Sequence, residues 1–169
     1  MLLYHPAFDV YHGAFRILSL LMSMDTKPYE ALKIRILDFY MLFPDQIALI
    51  TLPRGRTREK RDFAAMKNRY NCVNEPHQLF SSMEPYQQAA LRYLCSYGIL
   101  EIESLRNDFV LITDISIPSV LSIAIQTEQR NNSDVIKFVG SVLGSMELSG
   151  KNGLKARSNL AEHRYDSRP

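Results

Sequence analysis

A mainly helical fold with one small β-hairpin is what the sequence predicts, and three observations lead there. Apolar residues recur at helical spacing through most of the long segments. Two adjacent runs, 99–105 and 109–113, are β-compatible, and prolines and glycines mark the ends of the periodic stretches. With 169 residues, 46% apolar and 22% charged, the chain can bury one real core and not two large ones. A single domain is therefore expected over residues 1–148, followed by a basic, flexible tail over 149–169.

The first helix lies in "YHPAFDVYHGAFRIL". Pro6 drives His5 toward extended backbone, so His5 cannot be assumed to share a helix face with Asp9 and His12. Beyond it, Phe8, Tyr11, Phe15, Leu18 and Met22 form one apolar stripe, and Val10, Ala14, Ile17, Leu21 and Met24 form another beside it. Only Asp9, His12, Arg16, Ser19 and Ser23 remain as a narrow polar seam. Such a helix is mostly buried, and the seam is structural, because no third metal ligand and no nucleophile accompanies it. Pro28 opens a second helix that stops before Pro44; its few charges, Glu30, Lys33, Arg35 and Asp38, make it nearly enclosed. After the short piece "DQIALITL" comes a basic segment with Thr57 as N-cap and a thin apolar stripe of Phe63, Met66 and Tyr70.

"NCVNEP" reads as loop, "HQLFSSM" as a short helix ending at Glu84-Pro85, and "YQQAALRYLCSY" as a helix with Ala89, Ala90, Tyr93, Leu94 and Tyr97 facing inward. Gly98 ends it. "ILEIESL" and "FVLIT" then pair around the turn-favouring Arg106-Asn107-Asp108. Short helix, turn, helix, glycine and hairpin is the order of a winged helix-turn-helix, a module placed at about 28–113 with extra helices at both ends. Pro118 restarts helix through "SVLSIAIQTEQ", and Asn132 or Ser133 caps another through "DVIKFVGSVLGSM". Both helices expose apolar stripes, with Val135, Phe138 or Val139, Val142 and Met146, that are expected to need a partner surface.

Charge narrows the function classes. From Arg54 to Arg69, seven basic residues face two acids, whereas Tyr70 to Gly150 holds four basic and nine acidic residues. Arg54, Arg56, Arg58, Lys60 and Arg61 are the candidate DNA contacts. The winged module itself would present Gln87, Gln88 and Arg92 beside Glu101, Glu103 and Asp108, and that acidic wing would repel a duplex backbone. Protein contact is thus the favoured use of the module, and a stand-alone winged-helix transcription regulator is the alternative.

Catalytic and cofactor signatures fail. "GSMELSGKN" resembles a phosphate-binding loop, but Gly144 and Gly150 enclose five residues instead of four and Lys151 precedes Asn152. No catalytic residue, metal or cofactor site is assigned, and a small enzyme built on Asp9 and His12 is the least favoured reading. Cys72 and Cys95 lack metal-ligand spacing and read as reduced thiols. Apolar runs fall far below the roughly 18 residues that cross a bilayer, so a cytoplasmic chain without a membrane partner or small-molecule substrate is expected.

The segments "YHPAFDVYHGAFRIL", "LKIRILDFYMLFP" and "LFSSMEPYQQAALRYLCSYGIL" resemble the middle components of bacterial three-component ABC-ATPase systems, the group that includes Lamassu-type antiphage defence. The similarity spans about Tyr4 to Thr113. It implies a non-catalytic subunit that bridges an SMC- or Rad50-like ATPase and an effector, often a nuclease. The subunit would restrain the effector until DNA is sensed, with DNA reached through the complex. No catalytic residues are carried over.

Overall fold

In the structure, a computed structural model that describes residues 5–67 and 73–161, eight α-helices and a two-stranded antiparallel sheet surround one core. His5 is extended, as Pro6 requires, and its Nδ1 accepts from the Ala7 N–H at 3.1 Å, capping a 3-10 turn at Pro6–Phe8. Asp9 then caps helix α1 (Val10–Leu21) by accepting from the His12 N–H at 2.9 Å. The polar seam is structural: Asp9 caps, and Arg16 reaches Asp38 of the next helix.

Helix α2 (Ala31–Leu42) is the central element. Apolar side chains point from every side of it, and Ile34, Ile36, Leu37 and Phe39 are fully enclosed. It begins after Pro28 by three residues because Tyr29–Glu30 forms strand β1, which pairs with β2 (Phe109–Val110) in the register Tyr29 to Val110 and Glu30 to Phe109. A 3-10 stretch (Pro44–Leu49) leads to α3 (Thr57–Ala64), whose cap position is Arg56, one residue before the expected Thr57.

Between them, α1, α2 and α4 (Pro76–Ser96) carry a buried polar network. Asp38, with no exposed surface, accepts from Arg16 Nε at 2.8 Å and from Gln87 Nε2 at 2.8 Å. The Gln87 amide also donates to the Arg35 carbonyl at 3.0 Å and accepts from Arg35 Nε at 3.2 Å. Arg35 in turn pairs with Glu84 at 3.3 Å and lies 5.3 Å from the Phe80 ring centre. Charges scattered over three helices thus satisfy one another where water is absent.

Two expected features differ. The short helix, turn and second helix expected over 77–97 are one continuous helix, α4, with Pro85 inside it. Pro85 and Ser81, whose carbonyl would have been the partner of the missing N–H, are both exposed, so that carbonyl can be hydrated and the helix need not break. The hairpin is likewise reduced. Residues 99–101 and 111–113 meet through a bridge between Leu100 and Ile112 and the bond from Glu101 N–H to the Leu111 carbonyl at 2.9 Å. "IESLR" between them coils into α5 (Ile102–Arg106), held by the Arg106–Glu103 ion pair one turn apart.

The C-terminal third packs back on this frame. Helix α6 (Ser119–Asn131) crosses α1, where Gln129 donates to the Ser19 carbonyl at 3.0 Å. Helix α7 (Ser133–Lys137) runs on as a π-helical turn, Phe138–Leu143, with Val139 and Leu143 fully buried. Gly144 closes that turn where a Cβ would run into the Gly140 carbonyl. The segment expected as a free tail is built into the fold as far as Ala161. Helix α8 (Leu154–Ser158) buries Leu154, Leu160 is 3% exposed, and Arg157 donates to the Thr51 carbonyl at 2.6 Å. Burial of these two leucines in the core cluster makes the stretch part of the core. Residues 162–169, the remainder of the expected tail, lie outside the described residues.

One buried charge stands apart from the network. Lys33 is 7% exposed, and burial pulls its ammonium below the ordinary 10.5, with Glu30 and Glu147 acting in the opposite sense. The unfolded chain therefore holds that proton more tightly, so stability rises with pH between the folded pKa and 10.5. Lys33→Met is expected to stabilise the fold at pH 7 by on the order of 1 kcal/mol, with the gain shrinking as pH approaches 10. Urea unfolding across that range measures it, and a gain that grows with pH would contradict the assignment.

Candidate functional site

Two surface clefts bring the notable side chains together. The larger, about 480 Å³, lies between α1, the C-terminal half of α4 and the segment that leads into α6. Leu18, Leu94 and Ile99 line it as buried residues. Its aromatic wall follows from helical spacing: Tyr93 and Tyr97 are one turn apart on α4, with ring centres 4.9 Å apart, and Tyr11 of α1 meets Tyr93 edge-on at 5.2 Å. A hydrogen bond with Tyr97 is the first cause that pushes the Tyr93 phenol up, with burial and the neighbouring phenols adding to it. Ile115, Pro118 and Leu121 form the opposite wall. Tyr11 is 68% exposed and Tyr97 61%; Val120 and Ile123 of α6, which do not line this cleft, reach 79% and 63%.

The smaller cleft, about 330 Å³, lies between α3 and the π-helical turn. It joins two sets of residues that the sequence kept apart. Arg56, from the basic candidate set, and Phe138 and Val142, from the apolar stripe, line it together. Phe63 and Phe138 meet edge-on, 4.8 Å between ring centres. The stripe thus finds much of its cover within the chain: Val135 and Phe138 are buried, whereas Val142 and Met146 stay half-buried against the core.

Among the basic residues, Arg54, Arg56, Arg58 and Arg61 are exposed. Arg56 binds Glu59 at 2.6 Å, and this hydrogen bond is the main reason the Glu59 carboxyl sits below the ordinary carboxylate range. Arg58 and Arg61 approach Asp62 at 3.8 and 4.0 Å, and Lys60 donates to the Ile50 carbonyl at 3.1 Å. Exposed pairs of this kind are weak, so the arginines can exchange a carboxylate for a phosphate. Arg69 and Cys72 lie outside the described residues; Cys95 is half-buried, and burial raises its thiol.

The alternative DNA-reading helix loses one of its three expected contacts, while Gln88 is half-buried and Arg92 exposed. Gln87 is 1% exposed and spends its amide on Arg35 and Asp38, so it cannot reach a base edge. Tyr97, expected to face inward, faces out instead, and with Tyr11 it forms the aromatic wall. One signal could have found that wall: α1 and the first two turns of α6 are apolar on more faces than one neighbour can cover. At the N-terminus, His12 Nδ1 lies 3.7 Å from Asp9, and among the described residues no three His, Cys, Asp or Glu side chains gather as metal ligands. No described helix is long and apolar enough to cross a membrane.

Fold and surface together define a small, mainly helical protein whose distinctive features are clefts of apolar and charged side chains. The chain belongs to the family ABC-three component (ABC-3C) system Middle Component 5, whose family model matches residues 2–166. Membership implies partner components of an ABC-ATPase system. No curated protein and no solved structure matches the chain.

Proposed function

We propose that this chain is a non-catalytic bridging subunit that links an SMC- or Rad50-like ATPase to an effector, a nuclease in the simplest case, and restrains the effector until DNA is sensed. In this reading the system serves antiphage defence of the Lamassu type in the cytoplasm. The observation that carries the bridging role is the pair of clefts, which share no lining residue and differ in character: one aromatic and apolar, the other edged by Arg56, Glu59, Asp62 and Lys137. A bridge needs two such surfaces, each able to hold its own partner. Family membership supports the ATPase side of the reading.

A variant winged helix is the architecture we assign to residues 28–113. Its support is the order β1, α2, α3, α4 and then the 100–112 bridge, with β1 lying against the returning strand β2. Its conventional reading face is turned to other uses, since Gln87 is locked inside the protein. DNA is engaged through the complex, with the exposed arginines of α3 and the turn before it assisting.

Co-expression with the ATPase component and light scattering on the purified assembly test the bridge. A stable complex is the expected result, and a chain that stays alone beside its ATPase would refute the reading. Reversing Arg54, Arg58 and Arg61 to glutamate, none of which lines either cleft, is expected to change folding stability by no more than about 1 kcal/mol and to leave assembly intact. The same change should weaken non-specific duplex binding by the complex, most strongly at low salt. Undiminished DNA binding would remove α3 from the DNA path.

A further inference from the structure

The basic surface of α3 is joined by a segment from the far end of the chain. Arg157 of α8 donates from Nη1 to the Thr51 carbonyl, 106 residues away, and from Nε to the Asn152 carbonyl, both at 2.6 Å. The turn at Lys151-Asn152 and the chain that leads into Arg54 therefore lie one guanidinium apart. On the adjacent carbonyl, Ile50, Lys60 of α3 donates at 3.1 Å. Two consecutive carbonyls thus hold a lysine of α3 and an arginine of α8, with Arg54 and Lys151 exposed beside them. Residues 50–62 and 148–161 together hold eight of the twenty lysines and arginines and two of the eighteen acids. Both of those acids, Glu59 and Asp62, already face arginines of this surface. On neighbouring elements, Asp45 accepts from Gln46, Asp134 lines the cleft shared by Arg56 and Lys137, and Glu147 acts on the buried Lys33.

The residue types choose among polyanions. Five of the eight basic residues are arginines, whose planar guanidinium meets a phosphate through two donors. An anionic bilayer takes up a helix through an apolar face, but Phe63 of α3 and Leu154 of α8 are both turned into the core. Leu49 and Met66 are exposed nearby as single side chains. An acidic protein would be held around aromatic anchors, and neither stretch contains an aromatic residue. The same lack disfavours single-stranded nucleic acid, which is gripped by stacking bases on aromatic rings. What the surface offers is a fixed array of positive groups with little to read a base, and that suits the sugar-phosphate backbone of a duplex.

We infer that Arg54, Arg58 and Arg61 on the α3 side and Lys151 and Lys155 on the α8 side form one surface that holds the phosphate backbone of duplex DNA, with Arg157 as the anchor that joins the halves. This rests on the reading that α3 lies on the DNA path, and it adds the second half, the duplex form and binding by this chain itself. The test is fluorescence anisotropy of the full chain on a labelled duplex of arbitrary sequence, between about 50 and 200 mM salt. Lys151→Glu with Lys155→Glu is expected to weaken binding about tenfold at the low end, and to make the dependence of log Kd on log salt shallower by about 1 to 2. The Arg54, Arg58 and Arg61 reversal is expected to weaken it at least as much. Lys151→Glu alone, in an exposed turn, is expected to cost about threefold and is the variant read if the urea midpoint of the double change falls. Single strands of the same sequence, phosphatidylserine vesicles and polyglutamate are each expected to bind or compete more weakly than the duplex.

Wild-type affinity in the Lys151 and Lys155 variants beside a loss in the arginine variant overturns the inference and leaves α3 on the DNA path. A chain that binds no duplex overturns it as well. Single strands, vesicles or polyglutamate taken up as tightly as the duplex assign the surface to another polyanion and also overturn it. None of these results touches the bridging role, which co-expression with the ATPase decides separately; a chain that binds duplex as expected but never joins the ATPase loses the bridge and keeps this surface.

Discussion

Replacing Asp38 by alanine is expected to cost about 3–5 kcal/mol of folding stability, a large part of the total that a domain of this size possesses. The reason is what the substitution leaves behind. Asp38 accepts from Arg16 at 2.8 Å and from Gln87 at 2.8 Å, and without it the Arg16 guanidinium, only 12% exposed, keeps its charge in a place water barely reaches. The Gln87 amide also loses an acceptor inside the protein. Asp38→Asn, which keeps the size and one acceptor, should fall between wild type and alanine. Arg16→Met should also destabilise, and the double change Asp38→Ala with Arg16→Met should cost much less than the two singles added together, because no uncompensated charge then remains, only the Gln87 amide without this acceptor. Denaturant midpoints measure all four proteins. A loss below about 1 kcal/mol in Asp38→Ala would mean that the network is ornamental to the fold.

Ending the chain at Ser149 is the second large perturbation, with an expected cost of at least about 4 kcal/mol. Two leucine side chains leave the core, Leu154 with no exposed surface and Leu160 at 3%, and each full burial contributes about 2 kcal/mol. The loss also frees the Thr51 carbonyl from Arg157 and the Tyr40 hydroxyl from Ser158. Leu154→Ala alone is expected to cost about 3 kcal/mol. A truncated chain that melts at the wild-type temperature would restore the picture of a free tail. The distinction matters for function, because residues committed to the core are not available as a loose arm for partners or DNA.

Much of the fold was legible along the chain, for local reasons. The narrow polar seam of α1 and the nearly uncharged surround of α2 announced buried helices, and both are buried. The pyrrolidine of Pro6 set His5 apart from Asp9 and His12, and Gly98 ended α4 with a positive φ of 72°. Local rules failed where exposure decides the outcome. Pro85 breaks a helix only if the orphaned carbonyl is also denied water, and here it is not. "IESLR" holds apolar residues three apart as well as β-compatible ones, so the same five residues suit a strand or a helical turn; the strand pairing of Phe109–Val110 with Tyr29–Glu30 leaves them as the turn.

The candidate surfaces were legible in kind and not in place. The basic run and the surplus of apolar residues are visible as composition, but which of Val135, Phe138, Val142 and Met146 stays uncovered depends on Phe63 arriving from 75 residues earlier, at ring distance from Phe138. That Tyr97 belongs to an exposed aromatic wall likewise depends on α1 supplying Tyr11 beside Tyr93.

By itself the sequence determined the helical class, the enclosure of α1 and α2, the basic character of α3 and the acidic body, because each follows from periodicity or charge counted over neighbours. Only the tertiary structure decided that Arg16 and Gln87 converge on Asp38, that Leu154 and Leu160 belong to the core, and that tyrosines from two helices frame a groove. Those are contacts between residues tens of positions apart, and close packing selects among many equally polar or equally apolar candidates by shape, which no local pattern encodes.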